Sequence, residues 1–359
     1  MLLNAADKAL WRLALPMIFS NITVPLLGLV DTAVIGHLDS PVYLGGVAVG
    51  ATATSFLFML LLFLRMSTTG LTAQAWGAKD PQRLARALVQ PLALALGAGV
   101  LIILLRLPLI DLALHIVGGS EAVLEQARRF LEIRWLSAPA SLANLVLLGW
   151  LLGVQYARAP VILLVVGNLL NIVLDLWLVM GLRMNVQGAA LATVTAEYAT
   201  LIIGLLMAKR VLTLRGVSLA MLKNAWRGDL RRLLALNRDI MLRSLLLQLC
   251  FGALTVFGAR LGSDIVAVNA VLMTMLTFTA YALDGFAYAV EAHSGQAYGA
   301  RDGSQLLEVW RAACRQSGMV ALAFALIYSL AGQYIIALLT SLPSLQQLAD
   351  RYLIWQTIL

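Results

Sequence analysis

Charge is scarce in this chain: of 359 residues only 12% are Asp, Glu, Lys or Arg and 61% are hydrophobic, where a soluble domain carries about 25% charged residues. A surface built from such a composition faces lipid rather than water. Cysteine is nearly absent as well. Cys250 and Cys314 lie in different apolar stretches with no metal-ligand partners nearby, and both read as core residues. The histidines His37, His115 and His293 are scattered and form neither a metal site nor a catalytic triad, so no enzyme is expected. No GxxxxGK[ST] phosphate loop occurs, which excludes ATP as an energy source within this chain and leaves an ion gradient to drive any transport. The net charge of +8 comes without a basic-aromatic platform or zinc spacing, so nucleic acid is excluded as a partner. The first apolar stretch is long, contains Pro16, Pro25 and Asp31 and lacks a cleavage site, so no cleavable signal is expected.

Long apolar runs fill the space that charge leaves. They recur in stretches of roughly 20 residues, enough to cross ~30 Å of hydrocarbon as helix. Lipid offers backbone groups no hydrogen bonds, so only helices or closed barrels span it. These runs are continuous rather than alternating, and predict an all-α polytopic membrane bundle. The expected spans are 13–37, 44–72, 87–112, 128–152, 159–182, 188–208, 233–261, 264–292, 312–340, and a tenth from 345 on. One set of loops holds Lys8, Arg12, Lys79, Arg83, Arg86, Arg158 and the basic cluster from Lys209 to Arg232. The opposite set holds only Arg106, Arg128, Arg129, Arg183 and Arg260. The positive-inside rule therefore predicts a cytoplasmic N-terminus and a multi-pass protein of the inner (plasma) membrane. Segment 209–232 mixes Leu, Val, Met and Trp226 with Lys and Arg, and is expected to lie partly among headgroups. It is open to two readings, a tethering linker or a lipid sensor.

A repeat organises these spans. Gln74-Ala-Trp-Gly-Ala-Lys-Asp80 returns 222 residues later as Gln296-Ala-Tyr-Gly-Ala-Arg-Asp302. Leu44-Gly-Gly-Val-Ala48 pairs with Val266-Ala-Val-Asn-Ala270 at the starts of the second and eighth spans. Six spans separate the copies, so both halves face the same way, which implies a pseudo-two-fold axis along the membrane normal with a cleft between two lobes. The expected units are 1–208, an N-terminal six-helix lobe; 209–232, a basic cytoplasmic linker; and 233–359, a C-terminal lobe.

Charged and amide groups inside the spans are the candidate functional residues, because each is costly in hydrocarbon unless paired, protonated or wetted. Asp31 lies six residues after Pro25, which frees a carbonyl and weakens the helix beside it. It reads either as a proton-exchanging group or as an interfacial carboxylate facing water. Asn168, Asn171 and Asp175 stack on one helix face, at a depth similar to Asp31. They suit a proton or sodium site, or an amide stripe that joins helices. Thr193 follows the small-residue run Gly188–Ala192 and is placed to complete that pocket. Glu197, on the same face, is expected to pair with Arg134. Arg65 aligns at the repeat offset with Ala287, which has Asp284 and Glu291 one turn to either side. An ion pair across the lobes that closes the cytoplasmic side is one reading; pairing within one lobe, or with headgroups, is the other.

Three segments carry a family resemblance: Val30-Asp-Thr-Ala-Val-Ile-Gly-His-Leu38, Arg65-Met-Ser-Thr-Thr-Gly-Leu-Thr-Ala-Gln74 and Ala282-Leu-Asp-Gly-Phe-Ala-Tyr-Ala-Val-Glu291. With the six-span repeat, they resemble the multidrug and toxic compound extrusion (MATE) family, most of all its DinF branch. The resemblance implies twelve helices in two lobes, exporting organic cations and other toxic compounds against an inward flow of protons or sodium. It implies that Asp31, Asn171, Asp175 and Thr193 form the coupling site. It also implies two helices beyond the tenth span, so the C-terminal lobe is expected to be incomplete here. Protonation of Asp31 is expected to change the packing or bend of the first helix and expel substrate outward. The expected partners are small-molecule substrates and the bilayer, the only cofactor a coupling H+ or Na+, with no bound metal, and the state a monomer. A lipid-linked oligosaccharide flippase and a non-transporting membrane scaffold are the alternatives.

Overall fold

The computed structural model describes residues 4–38, 40–228, 230–340 and 342–358, without the side chains of residues 22–32, 263 and 266. Its elements are helices and turns: α1 (Ala5–Gly36), α2 (Pro41–Leu60), α3 (Phe63–Gly77), α4 (Pro81–Leu104), α5 (Arg106–Val117), α6 (Glu121–Arg134), α7 (Ala138–Gly153), α8 (Arg158–Asp175), α9 (Asn185–Leu214), α10 (Leu219–Asn224), α11 (Leu230–Leu261), α12 (Ser263–Gly299), α13 (Gly303–Leu339) and α14 (Pro343–Ile358). Among the described residues, eight segments are long and apolar enough to cross a membrane. The exterior confirms the solvent: Leu330 and Leu338 are 80% and 88% exposed, arrangements that a water-facing surface rarely repeats on this scale.

The helices start and stop for local reasons. Asn4 and Asp7 form a capping box on α1, with Asp7 N donating to Asn4 Oδ1 at 2.8 Å and Asn4 N to Asp7 Oδ2 at 3.2 Å. Ser40 and Asp80 cap α2 and α4, each followed by Pro at the first helical position. The repeated heptapeptide is one such stop-and-start unit used twice. Lys79 and Arg301 sit at φ +53° and +55°, the left-handed residue that ends a helix. Asp80 N and Asp302 N then bond back to the Ala75 and Ala297 carbonyls at 3.2 and 3.1 Å. The same aspartates cap the next helices, α4 and α13.

Three expectations need correction. The second span stands as one apolar segment, Pro41–Gly77, but its helix is interrupted at Leu61–Leu62 between α2 and α3, and the third expected span divides into α4 and α5. Helices also run well past the apolar windows, α12 reaching Gly299 and α13 starting at Gly303, because helix continues into water wherever caps and neighbours support it. Cys250 and Cys314 are exposed, on outward faces rather than in the core; cysteine is apolar enough to face lipid as readily as protein.

Close packing concentrates where side chains are small. Gly149 and Gly153 of α7 lie on α3: a Cβ at Gly149 would meet the Arg65 carbonyl at 2.5 Å, and one at Gly153 the Thr72 Cβ at 2.6 Å. Around this contact a core gathers on Trp150, whose Nε1 donates to the Leu84 carbonyl at 3.1 Å. A second core gathers on Trp135, which donates to Thr54 Oγ1 at 3.0 Å. A third joins the two sequence halves, with Leu10, Met17 and Phe286 packed between α1 and α12.

Candidate functional site

Helix α8 carries the polar face that its spacing predicts. Asn171 and Asp175 are 4% and 1% exposed, and Asn168 is half-buried. Asn171 Nδ2 reaches Thr193 Oγ1 of α9 at 3.5 Å, while Thr193 itself donates to the Ala189 carbonyl at 3.2 Å. Asn171 Oδ1 is buried and has no hydrogen-bond partner among the described residues, so the cluster retains an open acceptor. Directly after Asp175 the helix widens into a π-helical turn over Leu176–Gly181, a feature often met at functional positions. Helix α1 packs along α8; Asp31 falls on α1, but its side chain lies outside the described residues.

Glu197 departs from expectation. It accepts from Asn144 Nδ2 at 2.9 Å, and no ion pair joins it to Arg134 among the described residues. Arg134 instead donates to Ser137 Oγ and lies over the Phe58 ring at 5.4 Å. A neighbouring amide on the adjacent helix α7 satisfies the carboxylate.

The second constellation joins the sequence halves. Arg65 Nη1 lies 3.4 Å from Glu291 Oε2, with the two side chains 4% and 28% exposed. The Arg65 guanidinium also covers the Tyr288 ring at 4.0 Å, and Asp284 lies within electrostatic reach of it. Of the two acids one turn to either side of the repeat-related Ala287, Glu291 is the one that contacts Arg65, and the other contact is Tyr288, next to Ala287 in sequence.

Next to this pair the two copies of the heptapeptide touch each other. A Cβ at Gly77 would fall 1.9 Å from the Gln296 carbonyl oxygen, and one at Gly299 would fall 2.0 Å from the Gln74 carbonyl oxygen. Each copy thus places its glycine against the other's first residue, the reciprocity that a two-fold axis demands. Gln296 Oε1 accepts from Gln155 Nε2 at 2.6 Å, and Gln74 Oε1 accepts from Arg232 Nη2 at 3.4 Å.

Comparison with known proteins assigns this architecture. Residues 16–177 and 240–359 match the MatE family model. The chain belongs to the MATE family. It is 87% identical over 357 residues to DNA damage-inducible protein F of Escherichia coli (strain K12), covering 99% of this chain and 78% of that protein. It is 29% identical over 196 residues to the probable multidrug resistance protein NorM of Thermotoga maritima, covering 53% of this chain and 42% of NorM. A MATE crystal structure in the bent conformation superposes with a TM-score of 0.85 at 25% identity, covering 99% of this chain and 79% of that one. The protein is thus a multi-pass membrane protein of a family of efflux transporters.

Sequence reasoning missed a tether at the start of this MATE chain. Asp7 Oδ1 accepts from Arg315 Nη2 at 2.8 Å, Trp11 Nε1 donates to Gln316 Oε1 at 2.9 Å, and His293 Nε2 lies 3.1 Å from the Ala9 carbonyl. Burial works to raise the pKa of Asp7, which precedes the apolar run of α1. The Arg315 and Asn4 hydrogen bonds and the Arg315 charge outweigh that, and the pKa is lowered. In the sequence the only signal was an acid at the start of α1, which reads equally well as a solvated helix end.

Proposed function

We propose that this protein is an ion-coupled antiporter that exports small organic cations and other toxic compounds by alternating access, with the proton as coupling ion. In this reading residues 1–208 and 233–359 are the two lobes, 209–232 joins them on the cytoplasmic side, and the bundle sits in the inner membrane with its N-terminus in the cytoplasm. The basic ends of the helices support that orientation. The observation that carries the coupling site is Asp175, 1% exposed in a span, beside the Asn171–Thr193 pair and on a helix packed along the one that bears Asp31. A carboxylate so shielded holds its proton or gives it up according to what else enters the pocket. Asn171 and Thr193 supply the polar groups beside it in this reading, and Asn168 extends the same face.

Arg65, Glu291, Asp284 and Tyr288 take the second role. Their contact and the reciprocal glycine crossing hold the lobes together at the basic end, the arrangement required of a transporter closed to the cytoplasm. Proton binding in the first lobe and substrate binding in the cleft then favour opposite states and compete through one equilibrium.

The test is efflux of a fluorescent organic cation from liposomes with an imposed pH gradient, or a sodium gradient, comparing wild type with Asp31→Asn and Asp175→Asn. Gradient-driven efflux that both variants lose while remaining folded supports the proposal. Drive by sodium alone replaces the proton as coupling ion. Efflux untouched by either variant removes the coupling role from this cluster.

A further inference from the structure

Helix α12 carries one aromatic–acid pair twice. Tyr281 and Asp284 stand three residues apart, and Tyr288 and Glu291 repeat that spacing seven residues further on. That step is about two turns, which return to nearly the same helix face, so the four side chains lie along one stripe. The second pair holds a cation: the Arg65 guanidinium covers the Tyr288 ring at 4.0 Å and lies 3.4 Å from Glu291. The first pair has the same chemistry and is open. Asp284 is exposed in the middle of Ala267–Gly299, a segment long and apolar enough to cross a membrane, and a carboxylate at that depth faces water or a partner rather than lipid.

The repeat places this stripe on a cleft. Thr52, Ser55 and Phe56 of α2 are exposed, and so are Thr274, Thr277 and Phe278 of α12, their counterparts 222 residues on. Arg65 and its counterpart Ala287 carry the two faces down to the contact between the halves. Open faces related by a two-fold axis, on helices that meet at one end, border the space above that meeting point. The walls differ in one respect. Tyr281 and Asp284 correspond to Met59 and Leu62, so this carboxylate stands on one wall only. Phe56, Phe278 and Met59, 55%, 52% and 44% exposed, offer ring and thioether surface around it.

We propose that Tyr281 and Asp284 hold the charged end of an organic cation with a planar aromatic body, seated between α2 and α12 against Phe56, Met59 and Phe278. A carboxylate and an aromatic face together select a soft cation, and aromatic and thioether side chains pack well on rings. This site rests on the export reading above and supplies its selectivity for cations.

The experiment titrates the full chain in neutral detergent, with no ion gradient, and reads binding by fluorescence. The probes are N-methylacridinium and acridine, of nearly the same shape, at a mildly alkaline pH where acridine is neutral. Wild type is expected to bind the cation more tightly. Asp284→Asn is expected to lose about tenfold of that affinity, the scale of one partly wet charge pair, and to bind acridine as before. Glu308→Gln, at an exposed position of α13, changes neither. A second measurement needs no variant: N-methylacridinium, and not acridine, protects Asp284 of the wild type from amidation by a carbodiimide and glycinamide, with Glu308 as the unprotected control. Equal cation affinity in wild type and Asp284→Asn, or equal amidation of Asp284 with and without the bound cation, overturns the site while gradient-driven efflux still decides the export reading. A wild type that binds the cation no better than acridine overturns it too. Efflux that the Asp31 and Asp175 variants retain overturns the coupling reading and leaves the titration result standing.

Discussion

Arg65 is costly to leave alone, being 4% exposed inside an apolar segment. Glu291 and the Tyr288 face compensate it, and removal of one partner from a buried pair costs about 3 kcal/mol or more. Arg65→Ala is therefore expected to lower the thermal midpoint in detergent clearly, and Arg65→Glu more so, because two carboxylates then share the site. The exchange Arg65→Glu/Glu291→Arg restores the attraction and is expected to recover much of the loss. A double variant no more stable than the worse single one would show that the pair contributes nothing as a pair. This contact was half legible in the sequence. The repeat offset names the partner helix and its turn, since equivalent residues lie at equal depth about a two-fold axis. The choice of Glu291 for the ion pair, and of Tyr288 as the surface beneath it, depends on side-chain direction, which no offset encodes. Glu197 shows the same limit: an Asn on α7 lay nearer than the arginine that composition suggested.

Glycines decide how the helices cross, and neighbouring glycines are not equivalent. At Gly77 an added Cβ would strike the Gln296 backbone oxygen at 1.9 Å, whereas at Gly97 of α4 and Gly318 of α13 it would meet nothing within 4 Å. Backbone cannot step aside as a flexible side chain does. Gly77→Ala is thus expected to separate the α3–α12 crossing, destabilising the closed basic end by about 1–3 kcal/mol and lowering efflux. Gly97→Ala and Gly318→Ala are expected to be neutral or to stabilise their helices by up to about 1 kcal/mol, since alanine has the higher helix propensity. Thermal midpoints of the three variants separate these cases, and equal midpoints would remove the crossing argument. At this scale the heptapeptide was legible as a duplicated signal, because Asp80 and Asp302 cap helices in the ordinary way. The Gly149 and Gly153 contacts with α3 emerge only from the structure, because spacing alone names no partner surface. The break at Leu61–Leu62 was invisible for a physical reason: it falls within Leu60-Leu-Leu-Phe63, which contains neither glycine nor proline to signal it.

Across the whole molecule, the duplication predicts two equivalent halves, yet α1 belongs to both. It packs along α8 of the first half, the helix that bears Asn171 and Asp175, and along α12 and α13 of the second, so a change on that face of α8 acts on a helix already tied to the other half. Polar links 305 and 308 residues apart in sequence, Trp11–Gln316 and Arg315–Asp7, hold its first turns to α13. Pairings at such separation leave no trace in a single sequence, because either partner reads equally well as a solvated end. The Asp7–Arg315 link carries a pH dependence of definite sign. Asp7 has a lowered pKa in the folded protein, so its contribution to stability is complete above the ordinary carboxylate range and is lost as pH falls through that range to the depressed folded value. The Arg315 side chain is 44% exposed, and screening holds that contribution to about 1 kcal/mol. Asp7→Asn is therefore expected to be less stable than wild type at neutral pH, and the gap is expected to close on acidification as the wild-type carboxylate takes up its proton. Thermal midpoints of the two proteins, measured in parallel from neutral to acid pH, check this. A gap that persists unchanged at the acid end would place the stability of this tether in the Trp11 and His293 contacts rather than in the ion pair.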